Sequence, residues 1–197
     1  MAGTRQREKD KLPIILEAAK VIFASNGFHN SQIAKIAKQA GIAEGTIYLY
    51  VRSKEELMIR LFEQQVGSFI TVLQEQLRSM EDARDQIACI IHQHLSRLEE
   101  DPELARVIQF ELRQPNPTIR DGIAPVLRSY FQVIEQTILL GQEQGHFDPT
   151  LSPKLARQLI FGGINEVATS WVFSQKAYAL RAQGEPLLRM IFRGITK

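Results

Sequence analysis

A chain of 197 residues with 44% apolar and 23% charged side chains is long enough to bury a substantial core, as one large domain or two small ones. It has no apolar run near the ~20 residues a transmembrane helix requires, no apolar centre of a secretory signal in MAGTRQREKDKLP, and only Cys89. A membrane span, a disulfide framework and a cysteine zinc site are therefore not expected, and the expected location is cytoplasmic. The net charge of +2 is unevenly spread, since residues 1–54 carry nine Lys/Arg against four Asp/Glu and the remainder is net acidic by three. A basic head on a mildly acidic body suits contact with a polyanion at one end, although a bias of this size is often only a solvated face.

The periodicity predicts a first helix from about Asp10 to Asn26, with Leu12, Ile15, Leu16, Ala19, Ile22 and Phe23 inward and Asn26-Gly27 as its stop. Ser31 is read as the N-cap of a second helix that buries Ile33, Ile36, Ala37 and Ala40, and Gly41 supplies the following turn. A third helix is expected over Ala43 to Val51. Ser53, with Glu56 three residues on, forms a capping box opening a long fourth helix striped by Leu57, Leu61, Phe62, Phe69, Leu73 and Leu77. Further helices are expected at about 81–100, 102–114, 117–145, 151–175 and 184–196, separated by proline and glycine breakers, with Pro125 starting a turn or kinking its helix. No β-branched alternation is visible. The fold class is all-α, about nine helices, divided into an N-terminal head at residues 1–52 (motif about 32–51) and a C-terminal body at 53–197.

Two short helical patterns joined by a glycine turn in a basic segment, SQIAKIAKQAGIAEGTIYLYVRSK, have the form of a helix-turn-helix reader of double-stranded DNA. With AAKVIFASNGF before it and SKEEL after it, this stretch resembles the TetR family of one-component bacterial repressors. The run Gly-Thr-Ile-Tyr-Leu-Tyr followed by Lys54 is far more specific than a generic helix-turn-helix. Two departures are visible: Ala43 stands where the family often caps the recognition helix with Ser or Thr, and Ser31-Gln32 where it often has two threonines.

The resemblance implies that the helix from Ala43 enters the major groove, with Glu44, Gly45 and Tyr48 toward the base edges. It implies phosphate contacts at Thr46, Tyr50, Lys54, Ser31 and Lys35, with Gln32 in the same surface. A side chain at Gly45 would hold the backbone off the bases; tight packing inside the head is the competing reason for that glycine. For Tyr48 and Tyr50 the competing reading is amphipathic packing with wet hydroxyls. A homodimer on a palindromic operator is implied, its interface drawn from Ile160, Ile164, Val167 and Trp171 with Leu188, Ile191, Phe192 and Ile195, and Gly162-Gly163 allowing close approach. The same apolar faces equally suit monomer core.

The runs FELRQPN (110–116) and LARQLIFGGINEVATSWV (155–172) are similar to the family's regulators of fatty-acid degradation. That likeness implies repression relieved by long-chain acyl-coenzyme A, bound near Phe110 with Arg106, Arg113, Arg120, Arg128 and Arg157 toward its phosphates. Surface pairing is the plainer role for any one of these arginines. The apolar central helices fit a filled core or a lined tunnel equally. A TetR-type efflux regulator sensing lipophilic cations is the alternative, with Glu111 and Glu166 as its acids. No catalytic residue, metal site or cofactor is expected: His29, His92, His94 and His146 show no ligand spacing, and Glu99-Glu100-Asp101 reads as a solvated helix end.

Overall fold

The computed structural model describes residues 11–111 and 115–196. Among them run nine α-helices: α1 (Lys11–Asn30), α2 (Ile33–Ala40), α3 (Glu44–Ile47), α4 (Lys54–Arg78), α5 (Ala83–Glu100), α6 (Pro102–Glu111), α7 (Pro117–Glu143), α8 (Pro153–Phe173) and α9 (Gly184–Ile195). Within the described residues the only β pairing is one isolated bridge, Phe147 to Thr196. No helix is long and apolar enough to cross a membrane among these residues.

Local chemistry sets the boundaries. Gly27, at φ 71°, breaks α1 after Asn26, and only a short turn continues to Asn30. Gly41, at φ 68°, ends α2 by donating its N–H to the Ala37 and Lys38 carbonyls. Ser53 accepts the Glu56 N–H at 3.1 Å, while the Glu56 carboxylate reaches back to the Arg52 N–H at 2.8 Å, one residue earlier than a standard capping box. That contact and Arg60 hold the Glu56 carboxyl below its usual range.

Two expectations need correction. Ser31 does not cap α2: Gln32 occupies that position without a side-chain bond, and the Ser31 hydroxyl turns back to the Gly27 and Ile22 carbonyls at 2.7 and 3.2 Å. The third helix is also shorter than Ala43 to Val51. No side chain caps its start, and after Ile47 it relaxes into turns, with Leu49 and Tyr50 donating to Thr46 and Ile47.

Two apolar clusters result. The head cluster joins Ile15, Ala19, Phe23, Ile36, Ile47 and Val51 to Leu57, Leu61 and Phe62 of α4, and it also takes in Val107 of α6 with Ile119 and Ile123 of α7. The body cluster gathers α4 to α9 around residues such as Leu73, Ile87, Ile91, Ile134, Ile160 and Ile191. Each fully buried Val, Leu, Ile or Phe side chain among them contributes roughly 1.5–3 kcal/mol. Since α4 serves both clusters and α6 and α7 reach into the head, head and body are packed directly on each other.

Candidate nucleic-acid interface and ligand cavity

The face of the head formed by α2, α3 and the start of α4 is an open groove lined by Ser31, Gln32, Glu44, Tyr48, Arg52 and Lys54 among others. Gln32, Lys35, Glu44, Gly45 and Tyr48 are exposed, Thr46 and Tyr50 half-buried. A Cβ added at Gly45 would meet nothing within 4 Å, so no packing inside the chain requires that glycine. Tyr48 is 53% exposed and Leu49 71%, whereas Tyr50 packs on the head cluster. Leu49 was missed by the sequence reading. With Ile47 and Val51 inward its outward position was available, and an apolar tip there suits a thymine methyl.

Lys54 and Ser31 face inward. The Lys54 ammonium donates to the carbonyls of Phe28 (2.8 Å), Ser31 (2.9 Å) and His29 (3.1 Å), and lies 4.5 Å from the Phe28 ring centroid. Its three protons thus fasten the joint between α1 and α2. A phosphate taken up by Lys54 would have to displace one of these carbonyls. Ser31 is only 3% exposed.

A polar bracket links this head to the body. Lys20 of α1, almost fully buried, pairs with Asp101 at 2.7 Å and Glu17 at 2.8 Å. Burial pulls the Lys20 pKa down, but the hydrogen bonds and charges of Asp101 and Glu17 outweigh it and hold it above the ordinary lysine value. Asp101 also accepts the Leu104 N–H at 3.0 Å, capping α6. At the other end of α6, buried Glu111 accepts the Phe28 N–H at 3.0 Å. Helix α6 is therefore tied to α1 at both ends. Asp101 corrects the reading of that segment as a solvated helix end. The signal lay in Lys20, a lone cation beside the apolar stripe of α1.

The inner face of α6 does something else. Leu104 and Ile108 line a narrow cavity within the body, together with Phe62, Phe69 and Phe161 from α4 and α8. Its free space is about 50 Å³, and no carboxylate lines it. The polar groups on its wall are Gln65, His94, Arg97, Tyr130 and Asn165. Arg97 donates to Gln65 at 2.7 Å. His94 Nδ1 and the Tyr130 hydroxyl are 2.8 Å apart, and the His94 ring lies 5.9 Å from Phe69 and 6.5 Å from Phe161 between centroids. Removal from water pushes the His94 pKa down to about 4 and raises that of Tyr130 far above the ordinary phenol value.

The family described as "Bacterial regulatory proteins, tetR family" matches residues 15–61, and "YsiA-like protein, C-terminal region" matches 62–194. The fatty acid metabolism regulator protein of Bacillus subtilis is 39% identical over 190 residues, covering 96% of this chain and 98% of the relative. The chain belongs to the tetR family of transcriptional regulators. Two solved structures agree closely. FadR from Bacillus subtilis in complex with stearoyl-CoA superposes with a TM-score of 0.89 at 40% identity, covering 92% of this chain and 98% of that one. The fatty acid degradation regulator FadR from Bacillus halodurans gives 0.90 at 38% identity, covering 93% and 95%. The tetR relatives are regulators of transcription and not enzymes, as the lack of catalytic motifs suggested.

The tetR fold places the remaining expected residues unevenly. Arg106, Arg120 and Arg128 are exposed, and Arg120 pairs with its neighbour Asp121 at 3.0 Å. Arg157 donates to Glu135 at 3.1 Å and stacks 4.4 Å over the Phe131 ring, while Phe110, 48% exposed, meets Phe173 edge-on at 5.2 Å. Arg113 lies outside the described residues. None of the described five lines the cavity; its arginine is Arg97, which the sequence reading passed over.

The expected dimer residues pack mainly within this chain, in line with the competing reading of those faces as monomer core. Ile160, Ile164, Leu188, Ile191 and Ile195 are buried in this chain's own core, and Val167, Trp171 and Phe192 are half-buried against it. The Trp171 indole N–H is taken by the Tyr178 carbonyl at 3.0 Å. The apolar residues that α8 and α9 turn outward are Leu155, Leu159, Phe173 and Met190, each more than half exposed. A Cβ at Gly163 would approach Leu187 of α9 to 3.1 Å, whereas one at Gly162 would meet nothing, so only Gly163 lies against a neighbouring helix of this chain. The efflux alternative is not favoured: Glu111 is engaged with Phe28, Glu166 is exposed, and neither lines the cavity.

Proposed function

We propose that this chain represses fatty-acid degradation genes in the cytoplasm, binds a palindromic operator as a homodimer and is released from it by long-chain acyl-CoA. The observation that carries the reading is the acid-free cavity walled by aromatic and aliphatic side chains, in a chain similar over nearly its full length to a FadR that holds stearoyl-CoA. Residues 1–52 form the reading head, with Gln32, Lys35, Glu44, Gly45, Thr46, Tyr48 and Tyr50 toward DNA; residues 53–197 form the sensing and pairing body. Lys54 and Ser31 act on DNA by fixing the joint between α1 and α2. Arg106 and Arg120, on either side of the connection between α6 and α7, serve the coenzyme's phosphates together with Arg113, Arg128 and Arg157. The outward face of α8 and α9 around Leu155, Leu159, Gly162 and Met190 pairs the subunits.

Release follows from volume. Free space of about 50 Å³ is far below the ~300–1,000 Å³ of a ligand pocket, so an acyl chain must part the surrounding helices. One of them is α6, which is fastened to α1 at both ends, so its displacement is passed to the head. The ligand weakens DNA binding by the same factor as DNA weakens ligand binding, about 5- to 150-fold for a typical coupling.

Fluorescence anisotropy on DNA from upstream of the chain's own gene tests this, with palmitoyl-CoA, palmitate, coenzyme A and a cationic dye titrated separately. Release by palmitoyl-CoA alone is expected. Release by the dye alone, or by none of the four, overturns the fatty-acid reading.

A further inference from the structure

The wall of the cavity holds more protons than its own hydrogen bonds use. Tyr130 carries one O–H and neutral His94 one N–H, and a single contact of 2.8 Å joins them. If the hydroxyl donates to Nδ1, the Nε2–H is left over; if Nδ1–H donates to the phenol oxygen, the O–H is left over. Either tautomer leaves one donor, and neither side chain has another hydrogen-bond partner among the described residues. The side-chain amide of buried Asn165, on the same wall, likewise makes no hydrogen bond to a described residue. Imidazole protonation does not change the role, because burial holds His94 neutral down to about pH 4. A plain hydrocarbon chain pressed against this wall would strand the donor, whereas an oxygen acceptor would use it.

Resting on the acyl-CoA reading above, we propose that the His94–Tyr130 pair recognises the thioester carbonyl oxygen of the ligand, and so distinguishes an acyl thioester from a bare alkyl chain. The rings of Phe69 and Phe161 beside His94 limit its movement and lower the polarity around it, which strengthens a hydrogen bond formed there. The pair is a specificity determinant: it reads the carbonyl oxygen at the head of the acyl chain, and not the length of its tail.

The experiment compares palmitoyl-CoA with S-hexadecyl-CoA, in which a methylene replaces the carbonyl, in wild-type protein and in the double substitution His94→Phe with Tyr130→Phe. Both partners are replaced by rings of similar shape, a change that leaves no orphaned polar atom, and retained operator binding reports that the variant is folded. Wild type is expected to bind the thioester about tenfold more tightly than the thioether, the scale of one unmade buried hydrogen bond. The double variant is expected to lose that preference by weakening toward palmitoyl-CoA alone. Equal binding of the two ligands by wild type overturns the proposal whatever the variant does, as does a double variant that keeps the preference. If wild type binds neither ligand, the acyl-CoA reading itself falls.

Discussion

Gly45 carries two effects of opposite sign. In the free protein a methyl there meets nothing, and alanine favours a helix over glycine by about 1 kcal/mol. At the DNA surface the same methyl would hold the backbone off the base edges. Gly45→Ala is therefore expected to keep or raise the melting temperature while lowering operator affinity at least tenfold, read by thermal melts and anisotropy on one preparation. Unchanged operator affinity would remove Gly45 from the interface. Lys54 separates differently: its protons go to three carbonyls, so Lys54→Met should lose on the order of 2 kcal/mol of stability. The slope of log affinity against log salt should stay unchanged, because no phosphate contact has been removed; a slope smaller by about one would mean that Lys54 does meet a phosphate. His94 governs the acid side. Its unfolded form takes up a proton near pH 6.5 and the folded form only near 4, so the unfolded state binds more protons between these values. Stability should fall across that window as pH drops, by on the order of 3 kcal/mol, and His94→Phe should flatten the fall in urea titrations.

Helix α6 shows what an element adds to its residues. Held at one end by Lys20 with Asp101 and at the other by Glu111 with the Phe28 N–H, it moves with α1 or breaks a buried polar contact. Lys20→Met alone leaves the largely buried Asp101 with the longer Arg97 contact at 3.8 Å and the Leu104 N–H, and should cost up to about 3 kcal/mol. The paired change Lys20→Met with Asp101→Asn should recover part of that stability while raising the acyl-CoA concentration needed for release; release at the wild-type concentration would show that this tie carries no coupling. Most element boundaries were legible beforehand, because Gly27, Gly41, Ser53, Pro102, Pro117 and Pro153 act locally. The inner structure of the joints was not. Ser31 and Lys54 are both at home at a helix start, and only the carbonyls brought in by the Gly27 kink decide where they turn. Leucine, isoleucine and phenylalanine occur on every side of helix α8, so periodicity could not tell buried Ile160 from exposed Leu159. Arg97 and His94 sit between apolar neighbours of α5, and nothing local announces that the space beside them stays open.

At the scale of the whole molecule, the basic head and the net acidic remainder orient the chain toward DNA, but one head spans too few base pairs to select a site without a second. The exposed face of α8 and α9 is where that second copy is expected. Leu159→Glu with Met190→Glu puts charge on a surface already open to water, so the monomer should keep its melting temperature while light scattering shows the mass halved and the operator released. A dimer that survives both substitutions would move the interface elsewhere. The narrowness of the cavity has a consequence for physiology. Prising the aromatic walls apart costs free energy that is subtracted from the ligand's affinity at every encounter, so packing density sets the concentration at which the gene is switched. Trimming Phe69 or Phe161 would lower that set point, and filling the remaining 50 Å³ would raise it, with every DNA contact left in place.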